Sequence, residues 1–124
     1  MTQPLALVVY EKLLPGSQLV NRLQDLNYRT QTVSDPSQLL ASAVQSKPML
    51  VFVDLEVRGK DVLGTITQLK QNPATGHIPI IGFSGQGAPE LEAAARTAGV
   101  NVLATEAALL NHLPLLLEQA LQVE

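Results

Sequence analysis

Acidic and hydroxyl side chains follow the ends of several short apolar runs in this sequence. Asp54 ends the most hydrophobic run, Glu11 follows the first run and Ser84 follows the fourth. Thr105 and Glu106 follow the fifth run. A carboxylate that is exposed at the end of a strand can act as a nucleophile when a cation offsets the charge of the group it attacks. These residues are therefore the candidates for a functional site.

The elements that would position these residues alternate regularly along the chain. Apolar or β-branched runs alternate with segments of helical periodicity, and strands are predicted over residues 5–10, 29–33, 49–54, 78–83 and 100–104. The run at 29–33 is the most polar, which predicts a strand near a sheet edge. Alternation of strand and helix predicts right-handed crossovers and a parallel sheet with helices on both faces. In such sheets, sites form at the carboxyl ends of the strands.

Turn and capping residues predict where the helices begin and end. The first helix is predicted to open near Pro15, and Asp35 is a candidate cap for the second. Gly99 is predicted to end the fourth helix. Thr105 can cap the final helical region, which Pro114 is predicted to divide into a short turn and a main helix, because proline does not fit a helix interior.

Composition narrows the classes of function. The 124 residues predict one domain, 1–124, without disulfides or thiolate metal sites because there is no cysteine. His77 and His112 are far apart in the sequence, so no zinc site is expected. The net charge is -3 without a basic run, so no nucleic-acid partner is expected. No signal peptide or bilayer-length apolar stretch is found, so we expect a cytoplasmic protein without membrane contact.

Three sequence segments, in their order along the chain, resemble segments of the receiver domains of two-component response regulators. They cover residues 47–55, which include Asp54 at the end of the third strand, residues 71–73 with 77–85, which include Ser84, and residues 98–101. Their order and spacing extend the resemblance over nearly the whole chain. It implies the flavodoxin-like (βα)5 receiver fold, an α/β fold with strand order 2-1-3-4-5.

The resemblance also implies roles for the candidate residues. Asp54 falls on the position that accepts a phosphoryl group from a histidine kinase, and Ser84 falls on the hydroxyl position that contacts that group. Glu11 falls on a position that contacts Mg²⁺. Glu11 and Asp54, completed by water and a backbone carbonyl near Glu56, could supply oxygen ligands for this ion.

The sequence departs from the receiver pattern at several of these positions. Tyr10 replaces the second acid that follows the first strand. The lysine that pairs with the phosphoryl oxygens is missing after the fifth strand, where Thr105 and Glu106 stand instead. A carboxylate at Glu106 would repel a phosphorylated Asp54. Leu103 replaces the aromatic residue that relays the switch. The chain therefore resembles a diverged receiver, or pseudo-receiver.

Three functions stay open on this evidence. The leading hypothesis is a stand-alone, non-enzymatic signalling protein that binds a histidine kinase, a downstream regulator or itself, without needing phosphorylation. The second is a working response regulator that accepts a phosphoryl group on Asp54. The third, a small flavodoxin-like ligand binder or enzyme, has little support because no glycine-rich phosphate loop follows the first strand.

A partner surface is expected on the face formed by the fourth helix, the fifth strand and the fifth helix, where receiver domains commonly dimerise. The last helical segment is rich in leucine. Its inward face is predicted to consist of Leu113, Leu116, Leu117 and Leu121. Leu110 and Leu115 are not needed for that face, so they are candidates for contact with a partner.

Overall fold

The computed structural model describes residues 5–9, 13–33, 38–55, 62–84 and 89–122. Strands and helices alternate along the chain as the sequence predicts. In order they are β1 (Leu5–Val9), α1 (Leu13–Asp25), β2 (Arg29–Val33), α2 (Leu39–Ser46), β3 (Leu50–Asp54), α3 (Val62–Gln71), β4 (Ile80–Ser84), α4 (Pro89–Ala98), β5 (Val102–Thr105), α5 (Glu106–Asn111) and α6 (Leu113–Gln122).

The five strands form one parallel sheet in the order β2-β1-β3-β4-β5. This confirms the predicted order 2-1-3-4-5 and the flavodoxin-like arrangement of the sheet. Because all the strands are parallel, their carboxyl ends lie at one edge of the sheet, called here the carboxyl edge. Their first residues lie at the opposite edge, called here the amino edge. The first four helices each carry the chain back from the carboxyl edge to the amino edge, and α5 and α6 follow β5.

Two apolar layers cover the faces of the sheet. Leu7 and Val9 of β1 belong to the cluster that includes α2, α3 and α4. Ala6 and Val8 belong to the cluster on the other face, which includes α1, α5 and α6. This alternation follows from the two-residue period of a strand. β3 and β4 are buried at every position, which explains why their sequences are continuously apolar up to their last residue.

The edge position of β2 explains its polar sequence. Val33 is its one buried residue, whereas Arg29, Gln31 and Thr32 are exposed. The prediction that this run lies near a sheet edge is confirmed, since β2 pairs with β1 at the end of the strand order.

Most of the predicted helix ends are confirmed. Gly99 follows α4 with a φ of 121°, in the left-handed region that glycine adopts without strain. Pro114 separates the last helical region into α5 and α6, and it lies in the first turn of α6, where a missing N–H is tolerated. The prediction for α1 was wrong, because the helix begins at Leu13 and Pro15 falls in its first turn. Asp35 lies outside the described residues.

Within the described part of the chain, no helix has the length and apolar character needed to cross a bilayer.

Candidate functional site

Asp54 is the last residue of β3, the central strand of the sheet. It pairs with Phe83 of β4, and the following Leu55 N–H donates to the Phe83 carbonyl at 2.9 Å. The ladder of β3 with β4 thus continues past Asp54, which is only 2% exposed. The expectation of an exposed carboxylate was therefore wrong.

Ser84 is the last residue of β4 and is also 2% exposed. Since Asp54 pairs with Phe83, Ser84 lies one residue beyond the partner of Asp54 on the neighbouring strand. Both residues have interaction partners in the structure. The sheet thus brings the predicted acid and the predicted hydroxyl to the same edge, on adjacent strands.

Thr105 ends β5 and caps α5. It pairs with Ser84, so it is the β5 residue directly beside the end of β4. Its backbone is extended (φ -81°, ψ 164°), and its hydroxyl oxygen accepts a hydrogen bond from the Ala108 N–H at 3.1 Å. A side-chain oxygen that accepts from a first-turn N–H is the usual N-cap arrangement. The prediction that Thr105 caps the final helical region is confirmed.

Glu106 and Glu11 complete the set of predicted site residues. Glu106 is the first residue of α5, so its backbone lies at the carboxyl edge beside Thr105. The direction of its side chain lies outside what the structure describes. Glu11 and Tyr10 lie in the segment between β1 and α1, outside the described residues. The expected contact of Glu11 with a metal stays a prediction.

Asp54 is the only described carboxylate of the predicted Glu11–Asp54 pair. Among the residues that the structure describes, no group of three or more His, Cys, Asp or Glu side chains is placed to hold a metal ion. A magnesium site would therefore depend on Glu11 and on oxygen atoms of the segment that follows β3.

Every lysine and arginine among the described residues lies toward the amino edge of the sheet. Arg22, Lys70 and Arg96 are in the last turns of α1, α3 and α4, which end at that edge. Arg29 begins β2, and Lys47 follows α2 shortly before β3. These positions complement the negative ends of the helix dipoles. They also place the described cations at the end of the sheet that is far from Asp54.

Lys70, one of these cations, holds the segment between α3 and β4. Its ammonium Nζ donates to the Ile78 carbonyl at 2.9 Å, just before β4. Partial burial lowers the pKa of Lys70, because desolvation disfavours the charged form. The contact fixes the segment between α3 and β4 and does not extend to the carboxyl edge.

Asn101 has a structural role that the sequence did not reveal. Its side-chain oxygen accepts the Ile80 N–H at 2.9 Å, and its own N–H donates to the Ile80 carbonyl at 2.9 Å. These two bonds align the beginning of β4 with the beginning of β5. The only signal in the sequence is an asparagine between a helix-ending glycine and an apolar strand.

Comparisons with known proteins agree on the fold. No protein-family model and no curated protein matches the sequence. The chain is similar to the receiver domain of a sensor histidine kinase from Pseudomonas aeruginosa, whose structure holds a magnesium ion in the active-site cleft. The TM-score is 0.86 at 18% identity, over 97% of this chain and 98% of that chain.

Two further solved structures have the same architecture. A chemotaxis response regulator of Vibrio cholerae matches with a TM-score of 0.78 and 18% identity, over 93% of this chain and 99% of that chain. The signal receiver domain of a modulated diguanylate cyclase from Desulfovibrio desulfuricans matches with a TM-score of 0.80 and 20% identity, over 97% of this chain and 94% of that chain. The chain has the fold of response-regulator receiver domains.

Proposed function

We propose that this protein is a non-enzymatic, receiver-like signalling protein that acts by binding a protein partner and does not need phosphorylation of Asp54. The partner class is a histidine kinase or a downstream regulator. The observation that supports this most strongly is the position of Thr105. It ends β5 beside Ser84, and its hydroxyl is engaged as the cap of α5.

The charge balance at the carboxyl edge is the physical argument. A phosphoryl group on Asp54 would add negative charge to a buried carboxylate, and a cation must offset that charge for the product to be stable. Thr105 supplies no such cation. Within the described part of the chain, every lysine and arginine lies toward the other edge of the sheet. The near-complete burial of Asp54 also limits access by a phosphodonor.

A working phosphoacceptor is the second candidate, and two observations favour it. Asp54 and Ser84 end adjacent strands, as phosphoryl transfer to the acid would require. Lys12, Arg58 and Lys60 occur in the segments that follow β1 and β3, so one of them could supply a cation from outside the described residues. Mg²⁺ held by Asp54 and Glu11 would neutralise charge on the incoming group.

Intact-mass spectrometry distinguishes the two candidates. The protein is incubated with acetyl phosphate and Mg²⁺, with an Asp54→Asn variant and an EDTA-treated sample as controls. Our proposal predicts that the wild-type mass stays unchanged in all samples. A gain of one phosphoryl group that needs Mg²⁺ and disappears in Asp54→Asn would establish the second candidate instead.

We also propose that α4, β5 and the helical region after it form a contact surface for a partner or a second copy. The predicted fifth helix consists of α5 and α6 in the structure. Leu115 on α6 is 53% exposed, as expected, whereas Leu110 is half-buried against the core.

If this face dimerises through α4, Ala94→Glu should shift sedimentation toward the monomer, while Gln45→Glu on α2 should not. Equal behaviour of both variants would argue against this face.

A further inference from the structure

A depression of about 380 Å³ lies at the amino edge, between the end of α2 and the segment that joins α3 to β4. Its apolar lining consists of Val44, Pro48, Pro73, Ala74 and Ile78. Pro48 and Ile78 are buried and form the floor, whereas the other three are exposed. Proline has a fixed φ and no N–H, so this wall offers a preformed apolar surface without unpaired proline donors.

The rim of the depression carries one cation, Lys47. Lys47 and His77 are its remaining lining residues, and both are exposed. Lys47 is the C-cap of α2 in a left-handed conformation (φ 50°), and its N–H donates to the Ala43 carbonyl at 2.9 Å. This bond fixes the backbone from which the ammonium projects. The lining contains no acidic residue, and no ion pair among the described residues engages Lys47.

The surrounding edge carries more basic than acidic side chains. Arg22, Arg29 and Arg96 lie toward the amino edge together with Lys47, and Asp25, which ends α1, is an acid at the same edge. The whole chain has a net charge of -3. Glu90 and Glu92 lie in the first turn of α4, toward the opposite edge. A locally basic surface on an acidic protein steers acidic partners to that surface and repels basic ones.

The size and lining of the depression favour a protein segment over a small ligand. Its volume is near the lower end of the range for ligand pockets, roughly 300–1,000 Å³. The floor is formed by Pro48 and Ile78 and offers no buried polar side chain that would orient a small molecule. Apolar side chains of a partner can fill such a space, while carboxylates beside them reach the rim.

We propose that this depression docks an acidic segment of a partner protein. An apolar anchor residue of the segment packs against Pro48, Pro73 and Ile78, and a neighbouring carboxylate pairs with Lys47. The site lies at the edge of the sheet opposite Asp54. Docking there goes beyond the proposed function, and it is independent of whether Asp54 becomes phosphorylated.

Nuclear magnetic resonance with a synthetic probe tests this proposal. The probe is an acetylated, amidated decapeptide with two leucines among glutamates, titrated into the ¹⁵N-labelled, unphosphorylated protein. We expect saturable shifts confined to the amides of Val44, Lys47, Ala74 and His77. The same peptide with serine in place of both leucines should lose this binding, because the apolar anchor is gone.

Two charge-matched variants locate the site. Lys47→Glu should weaken binding of the leucine peptide by roughly tenfold, as expected for reversing one charge at a close ion pair. Arg22→Glu makes the same charge change at the same edge, away from the depression, and should change binding by less than about twofold. Ala74→Glu replaces an exposed residue and should block the depression, and its spectrum reports whether the fold is retained.

Several results would overturn the proposal. One is the absence of saturable shifts up to millimolar peptide. Others are equal effects of the Lys47 and Arg22 variants, equal binding of the serine peptide, or shifts that extend with similar size to Arg29 and Arg96. If the same amides shift with protein concentration alone, the occupant is a second copy of the chain and the proposed acidic partner is wrong.

Discussion

Thr105 lies directly opposite Ser84 in the parallel pairing of β5 with β4, and its hydroxyl oxygen accepts the Ala108 N–H at 3.1 Å. The last residue of β5 therefore caps the next helix and supplies no positive charge at the end of the strand. Asp54 ends the strand on the other side of β4. Whether that carboxylate can be phosphorylated depends on the charged and hydroxyl side chains at the ends of the neighbouring strands.

Introducing a cation at the end of β5 should favour phosphorylation. In Thr105→Lys, we expect a phosphorylated fraction that the wild type lacks, after treatment with acetyl phosphate and Mg²⁺ and measured by intact mass. The reason is that a charge-assisted hydrogen bond contributes about 1.5–3 kcal/mol. Thr105→Ala is the control, since it also loses the cap but adds no charge. Equal fractions in the two variants would contradict this explanation.

Loss of the Thr105 hydroxyl should destabilise the fold. Thr105→Ala removes the acceptor for the Ala108 N–H, and we expect the free energy of unfolding in urea to fall by about 1 kcal/mol. Thr105→Ser keeps a hydroxyl at the same position and should stay within about 0.5 kcal/mol of the wild type. A serine variant as unstable as the alanine variant would show that the cap is not the cause.

Asn101 should contribute through its side-chain oxygen. Asn101→Ala leaves the Ile80 N–H without its partner, so we expect a loss of about 1–3 kcal/mol in the free energy of unfolding. Asn101→Asp retains an oxygen acceptor and should lose less. This expectation fails if the Asn101→Ala variant is as stable as the wild type. It also fails if Asn101→Asp and Asn101→Ala lower the free energy of unfolding equally.

Gly99 should tolerate no side chain. Its φ of 121° disfavours other residues, and a Cβ there would lie 2.5 Å from the Cγ of Lys70. Gly99→Ala should therefore lower the free energy of unfolding by more than about 1 kcal/mol. In a Lys70→Ala background, the same substitution should cost less, because the steric conflict is removed while the backbone strain remains. If Gly99→Ala lowers the free energy of unfolding equally in both backgrounds, the steric conflict with Lys70 contributes nothing and the backbone strain explains the whole loss.

The fold could be predicted because each strand carries a local signal. The continuous apolar sequence of β3 indicates burial on both faces, and the polar sequence of β2 indicates an edge. Gly99 and Pro114 mark helix boundaries through properties of the residues themselves. The start of α1 was missed because Pro15 is compatible with any position in the first turn, so it does not fix where the helix begins.

The candidate site could be predicted only in part. The rule that sites form at the carboxyl ends of parallel strands placed Asp54 and Ser84 together, and Thr105 was identified as a cap. The burial of Asp54 was not foreseen, because it depends on the surroundings of the strand end in the folded chain. The depression beside Lys47 was also missed, since Val44 and Ile78 are distant in sequence and meet only in the folded chain.

Recovery of the partner from the native host, using tagged wild-type protein and tagged Asp54→Asn, tests the central claim most directly. Asparagine is nearly isosteric with aspartate but cannot accept a phosphoryl group. If the protein acts by binding without phosphorylation, both forms should recover the same partner in equal amount. Recovery by the wild type together with loss in Asp54→Asn, at equal stability of the two proteins, would contradict the account.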